Sequence, residues 1–351
     1  MSILHAREFE YAFALNRQSE IRNQIALSKL TRKLPCRTFA PLTKGNPDAV
    51  SDRSWYGKGH SHPTFWDPIT KRFVMASREY SMTQLSALFA PAFVLGSLAT
   101  SQNDSGVGTV FNHRFTFLDP STNKEPRYTT LIEKAGAEYQ ELYTGVVVNS
   151  FSLTGNRNDH VVIANEGFAR TKTINATAMP ALALNQTFFK ILKATFTFGA
   201  AGSPSNLSAI SSEVLSFGLT VNQNAQAWWH PGAASGEEEL MTRALIGDQT
   251  VSGNLVVLLD AAKRNFFHND DECEITIVLT GDAIGSTGLN YEVKIELPHF
   301  KISSESFSEE GQTTAYTMTF DENSVLKAAD DDFISFEVQT DEDSTDLLQV
   351  A

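Results

Sequence analysis

Residues 143–167, YTGVVVNSFSLTGNRNDHVVIANEG, spell out a long strand, a polar turn and a second strand. In the first strand Val147, Phe151 and Leu153 fall on one parity, and Ser150, Ser152 and Thr154 on the other. Successive side chains of a strand point to opposite faces. This alternation therefore predicts a half-buried antiparallel strand with one apolar face and one hydroxyl-rich face. The pattern returns, because VNSFSLTGNRN at 148–158 is echoed by VLSFGLTVNQN at 214–224, where Phe217 and Leu219 alternate with Ser216 and Thr220. Such strands build sheets and subunit contacts, and nothing in them performs chemistry.

A chain of 351 residues can bury a sizeable core, and 42% apolar with 20% charged residues is a globular composition. The formal charge of −13 argues against a tight general binder of nucleic acid, which concentrates Lys and Arg to displace counterions. Cys36 and Cys273 are the two cysteines. They are too few for a disulfide scaffold or a four-thiolate zinc site, though one bridge stays open. Charges interrupt the apolar residues of MSILHAREFEYAF, unlike a signal peptide, and no stretch has the length of a membrane-spanning helix. The expectation is synthesis and residence in a cytoplasm.

Residues 3–33 read as an amphipathic helix, with Phe9, Phe13, Ile21, Ile25 and Leu30 near helical spacing. It is expected either to cap the core or to act as an arm on a neighbouring subunit. Residues 35–68 read as loop anchored by Trp55 and Trp66. Residues 81–93 read as a short helix with Leu85, Leu88 and Phe89 on one side and Pro91 near its end. Strands follow at 110–117, 127–133, 191–198, 251–259, 273–280 and 291–298, then in TAYTMTF and FISFEVQT, with a helical turn near 261–267. In the 191–198 strand Leu192, Ala194, Phe196 and Phe198 are expected inward. Strands with few short helices predict an all-β, antiparallel sandwich or barrel with short flanking helices and an N-terminal helix. The Gly/Ser/Pro-rich run at 199–208 is the best boundary. The expected division is an N-terminal helical arm at 1–40, β domains at 41–200 and 201–340, and an acidic flexible tail at 341–351.

No catalytic constellation emerges. His60 and His62, with Asp52 or Asp67, could ligate a metal, but a His pair in a Gly/Pro loop reads as surface polarity. The acidic runs at 237–239 and 330–332 lack the alternating spacing and central glycine of a calcium loop. GDAIGSTG at 281–288 lacks the Lys-Ser/Thr of a phosphate loop and reads as a hairpin loop between antiparallel strands. Trp228 and Trp229 read as a core or interface plug rather than a sugar platform. No metal and no cofactor is expected, and no enzymatic activity.

The segment RYTTLIEKAGAEYQELYTGVVVNSFSLTGNRNDHVVIANEGFA resembles the tail tube proteins of long-tailed bacteriophages. VLSFGLTVNQN, VSGNLVVLLDAAKRNFF and YEVKIELPHFKISS follow in the order of such proteins, so the resemblance covers roughly residues 81–340. It implies packed β-sheets with flanking helices, and strands of neighbouring subunits joined into a barrel around a channel. It also implies stacked rings of this chain, either hexameric or trimeric with pseudo-sixfold symmetry, with two tube-like halves favouring three chains. The other partners implied are tape measure, tail tip and terminator proteins, and DNA that passes without specific binding; no membrane is involved. The location implied is the virion tail, assembled in the host cytoplasm. Ser150, Ser152, Thr154, Ser216 and Thr220 would then face the lumen or a neighbour, with Phe151, Leu153, Phe217 and Leu219 in the core. The alternative from another class is a carbohydrate-binding β-sandwich of a virion fibre, or another virion structural protein, with Trp55, Trp66, Trp228 and Trp229 stacking on sugars.

Overall fold

In a computed structural model the described residues are 9–30, 32–34, 43–44, 49–50, 65–66, 73–103, 110–135, 139–174, 187–202, 207–229, 240–259, 261–310, 313–326, 332–343 and 347–348. Among them every strand pairing is antiparallel, and two large sheets carry most of the chain. The fold class is all-β, as the alternating patterns require. The first sheet is organised around the strand Tyr139–Asn156. One of its flanks continues through Val214–Asn222, Thr250–Leu258, Thr313–Phe320 and the edge strand Ser304–Glu310. Its C-terminal half also pairs with Val162–Ala169, which leads on to Phe73–Ser81. Its N-terminal half pairs with Thr129–Ala135 and Thr171–Ile174. The second sheet has seven strands, in which Ala194–Ala200, Cys273–Ala283, Asn290–Phe300, Ser335–Thr340, Phe111–Phe117 and Gly96–Gln102 are successive neighbours.

The long strand changes parity twice. Against Thr129–Ala135 its register slips between Tyr143 and Val146, at Gly145, whose φ of +64° lies in the left-handed region that glycine adopts freely. Against Val162–Ala169 it slips again between Val148 and Ser150. Asn149 is the extra residue there. Its carbonyl accepts from Gln223 N at 3.0 Å and its Oδ1 accepts from Ala225 N at 2.5 Å. The side chains that meet the main core are therefore Tyr143, Val146, Val148, Phe151 and Leu153. Val147, expected beside Phe151 and Leu153, packs instead in a separate cluster with Ile21, Tyr128 and Phe168. A period of two holds only between bulges.

Packed between the sheets is the helix Gln84–Val94, buried along its whole length. The expected apolar side of Leu85, Leu88 and Phe89 is joined by Ala87, Ala90, Phe93 and Val94, so the helix is apolar nearly all round, as a core helix must be. Its start is fixed by a reciprocal cap: Ser86 N donates to Thr83 Oγ1 at 3.2 Å and Thr83 N donates to Ser86 Oγ at 2.7 Å. Phe89 sits 4.5 Å from the ring of Phe13 and 5.4 Å from Phe93. Beside it, at the junction of the long strand with its N-terminal neighbours, a buried ion pair joins Arg78 to Glu133. Tyr11 lies under the guanidinium at 4.7 Å, and the Tyr143 hydroxyl donates to Glu133 at 3.2 Å. Lys172 pairs with Glu141 at 2.6 Å on the same strand.

Several expectations are corrected. The N-terminal helix expected over 3–33 is not formed among the described residues 9–30 and 32–33. Phe9–Phe13 is a strand paired with Thr129–Ala135 and with Arg32–Leu34, and the helical turn between them is the short Leu27–Lys29. Leu192, expected inward, is 68% exposed, because 191–193 form a 3-10 turn and the strand starts at Ala194. The run at 199–208 does not separate one sheet from the other, since each large sheet takes strands from both sides of it. The acidic tail is tied down where it is described. Leu347 and Leu348 are buried, and Leu348 N donates to Leu15 O at 2.9 Å. The hairpin at GDAIGSTG forms as expected, with its flanking strands paired and positive φ at Gly285 and Gly288.

Candidate functional site

The outward face of the first sheet is a carpet of hydroxyls and amides. The two strands of like sequence lie side by side, with Ser152 opposite Thr220, Leu153 opposite Leu219 and Ser150 opposite Asn222. Their likeness therefore has a local cause: both pack the same core on one face and share the same environment on the other. Phe151, Leu153, Phe217 and Leu219 are buried in the main core. On the opposite face Ser150, Ser152 and Ser216 are half-buried, and Thr154 and Thr220 are exposed. All five hydroxyl residues thus lie on one face of two neighbouring strands.

This face extends further than the sequence pattern indicated. Ser252 stands beside Thr220 and Asn254 beside Gly218. Thr319 lies beyond Asn254 and pairs in turn with Ser304. The alternation in TAYTMTF, where Thr317 and Thr319 interleave with the buried Tyr316, Met318 and Phe320, was the available signal. On the other flank Ser152 faces Ala164, which faces Glu79, and Ser150 faces Glu166. Glu79 and Glu166 are acidic, and among the described outward positions of these strands no Lys or Arg occurs.

The outward face of the second sheet is different in kind. Lys294 stands opposite Glu337, which stands opposite Arg114, in a ladder of alternating charge. Lys294 also pairs with Glu296 at 2.5 Å, and Ser335 Oγ donates to Glu296 at 2.9 Å. Burial raises the Glu296 carboxyl, yet these bonds outweigh it and hold the group below its ordinary value. Glu292 lies above its ordinary value through burial and the nearby Glu337. One molecule therefore carries two unlike faces, one of neutral polar groups and one of crossed charges.

The remaining candidates do not form a chemical centre. His60, His62, Asp52, Asp67, Trp55 and residues 237–239 lie outside the described residues, as do the side chain of Trp66 and residues 330–331. Asp332 is described, 4.0 Å from Arg114. Among the described residues no group of three His, Cys, Asp or Glu gathers as a metal site. Cys273 is a free buried thiol, pushed up to about 12 by burial and by Asp271. Trp228 is 47% exposed, with the Arg243 guanidinium 5.9 Å from its ring centre, whereas Trp229 packs against the cluster of Ile21 and Tyr128. No described helix is long and apolar enough to cross a membrane.

A sequence model of the family described as Phage tail tube protein matches residues 78–331. The matched span includes 199–208 and takes in the hydroxyl face described above. No curated protein matches the chain.

Proposed function

The chain belongs to the phage tail tube protein family, and on that premise we propose that it self-assembles into stacked rings around a channel for DNA. The observation that carries this reading is the outward face of the hydroxyl-bearing strands of the first sheet, which holds no Lys or Arg at its described positions. A surface that grips DNA places Lys and Arg against its phosphates. This face offers hydroxyls and amides with Glu79 and Glu166, which suits a wall past which DNA slides. We assign Ser150, Ser152, Thr154, Ser216 and Thr220 to that lumen wall.

Uncovered strand edges support assembly. Ser304–Glu310 and Gly96–Gln102 each pair on one side only among the described residues, and an unpaired edge is a template for another chain. Both large sheets draw on both halves of the sequence, so one chain supplies one sandwich. This supports a reading of six chains per ring over three with pseudo-sixfold symmetry. The role is structural and not catalytic. The partners are other copies, the tape measure, tail tip and terminator proteins, with assembly in the host cytoplasm before incorporation into the virion tail.

Negative-stain electron microscopy of the purified protein over a concentration series, with light scattering, tests this. Hollow tubes or annuli with the mass of six chains per ring are expected. Rings of three chains would replace the stoichiometry, and a monomer at every concentration would count against the assembly itself.

A further inference from the structure

Arg17, Lys124, Arg127 and Arg243 line one cleft of about 460 Å³, together with Glu125 and Tyr128. Glu125, its one acid, accepts the Tyr128 hydroxyl at 3.0 Å. Arg17 Nε donates to Leu348 O at 3.0 Å, Arg127 Nε donates to Gly96 O at 3.1 Å, and Arg243 lies over Trp228. These contacts fix three of the side chains without neutralising them, and among the described residues none of the four cations is ion-paired. The crowding is felt at Arg127, whose guanidinium lies below its ordinary value through burial and then through the charge of Arg17. Four cations sharing a partly closed cleft repel one another until an anion joins them.

A group of exposed acids lies at the other end of the strand order. The cleft lies where the chain leaves Phe9–Phe13 and enters Thr129–Ala135, and Gln18 N donates to Tyr128 O at 2.9 Å to close those two segments together. At the far end is Ser304–Glu310, SESFSEE, with Glu309 exposed and Phe307 48% exposed. Two acidic turns adjoin its root: Asp270, Asp271 and Glu272 are exposed, as are Asp321 and Glu322. Lys301 ties them together, through its Nζ to Asp270 at 3.0 Å and its backbone N to Ser324 O at 2.9 Å. Glu305 is already engaged within the chain by Arg264 at 3.6 Å, which leaves Glu309 and the turns facing outward.

We infer that the cleft of Arg17, Lys124, Arg127 and Arg243 receives the acidic edge strand Ser304–Glu310 of a second copy of this chain. A basic socket and an acidic edge at opposite ends of one sheet's strand order make a head-to-tail contact, the kind that closes into a ring or extends into a stack. Trp228 beside the socket and Phe307 on the edge strand each present an exposed aromatic surface, which gives the contact an apolar part. This inference rests on the tube reading and names the surfaces by which copies meet.

The test is sedimentation and electron microscopy of the full chain at several salt concentrations, as wild type and in three variants. Lys124→Glu/Arg243→Glu reverses the socket and Ser306→Lys/Ser308→Lys/Glu309→Lys turns the edge basic, all at exposed positions. Each is expected to weaken association about tenfold or more. A chain carrying all five changes sets an acidic socket against a basic edge and is expected to recover association. Circular dichroism establishes that each variant is folded, and Lys124→Gln/Arg243→Gln replaces the socket reversal if that is not. If wild type forms tubes and the socket variants form them equally well, the contact is overturned and the tube reading stands. If the fivefold variant fails to recover, the pairing of these two surfaces is overturned. A wild type that never associates overturns the contact and the tube reading together.

Discussion

A β-carbon at Gly167 would lie 2.0 Å from the carbonyl oxygen of Val147, and the atom it meets is backbone. Gly167 pairs with Val148 beside the bulge at Asn149, so glycine is what lets the two strands approach there. Gly167→Ala is expected to destabilise the fold by about 2–4 kcal/mol, read from urea unfolding midpoints; a change under about 0.5 kcal/mol would mean the bulge relaxes freely. His113 gives a pH test. Its ring is fully buried, Nε2 donates to Glu342 O at 2.9 Å and Nδ1 accepts the Thr100 hydroxyl at 3.0 Å, an arrangement that the neutral ring satisfies. Burial holds its pKa below the ordinary value, against the opposing pull of the Glu342 carbonyl and of Asp343. The native state then binds fewer protons than the unfolded one. Its stabilising share is full above about pH 6.5 and is lost as pH falls through the lowered value. Wild type is expected to lose more melting temperature between about pH 7 and 5.5 than His113→Gln does, in calorimetric scans of both. An equal loss would remove His113 as the cause. At this scale the sequence made the alternation of Phe151 and Leu153 with Ser152 and Thr154 visible, but not the side taken by Val147. Parity is local, and the carbonyl of Asn149 finds its partner at Gln223, far along the chain.

Edges are where single elements become testable. Ser304–Glu310 and Gly96–Gln102 carry a row of backbone groups without strand partners among the described residues, while Asn290–Phe300 is paired on both sides. Hydrogen exchange of the unassembled chain is expected to be fast in the two edge strands and slow in Asn290–Phe300, with Ser304–Glu310 gaining protection on assembly. Protection of both edges in the monomer would show that something in the chain already covers them. The N-terminal element shows why periodicity misled. Phe9 and Phe13 are four residues apart, a spacing that suits one face of a helix and also, being even, one face of a strand. In the fold Tyr11 and Phe13 enter the main core while Ala12 and Ala14 enter a satellite cluster, a period of two. The pairing with Thr129–Ala135 decided between the two readings, and nothing local to residues 9–13 announces it. The helix Gln84–Val94 was legible from its apolar run, although its cap and its burial on every side appear only in the fold, the burial depending on a second sheet that lies far along the chain.

Taken as one molecule, the sandwich interleaves its halves: Ala194–Ala200 joins strands beyond residue 270, and Phe111–Phe117 pairs with Ser335–Thr340. A single cooperative unfolding transition is expected in calorimetry, and chains cut between residues 202 and 207 are expected to fold only when both pieces are present. Two separable transitions would restore a two-domain reading. The all-β class and the hydroxyl rows could be read from the sequence because both arise from neighbours within a strand. The sheet order could not, because it is set by contacts between strands distant in sequence. The two bulges of the long strand, one at Gly145 and one at Asn149, give the protein something like a reading frame. Removing Asn149, the extra residue, would leave Val148 and Phe151 two residues apart on the same face, whereas removing Val147 would put Val146 and Val148 on opposite faces. A change of one residue therefore keeps the sense at the bulge itself and loses it beside the bulge, as a frame survives only where the inserted letter is the one removed.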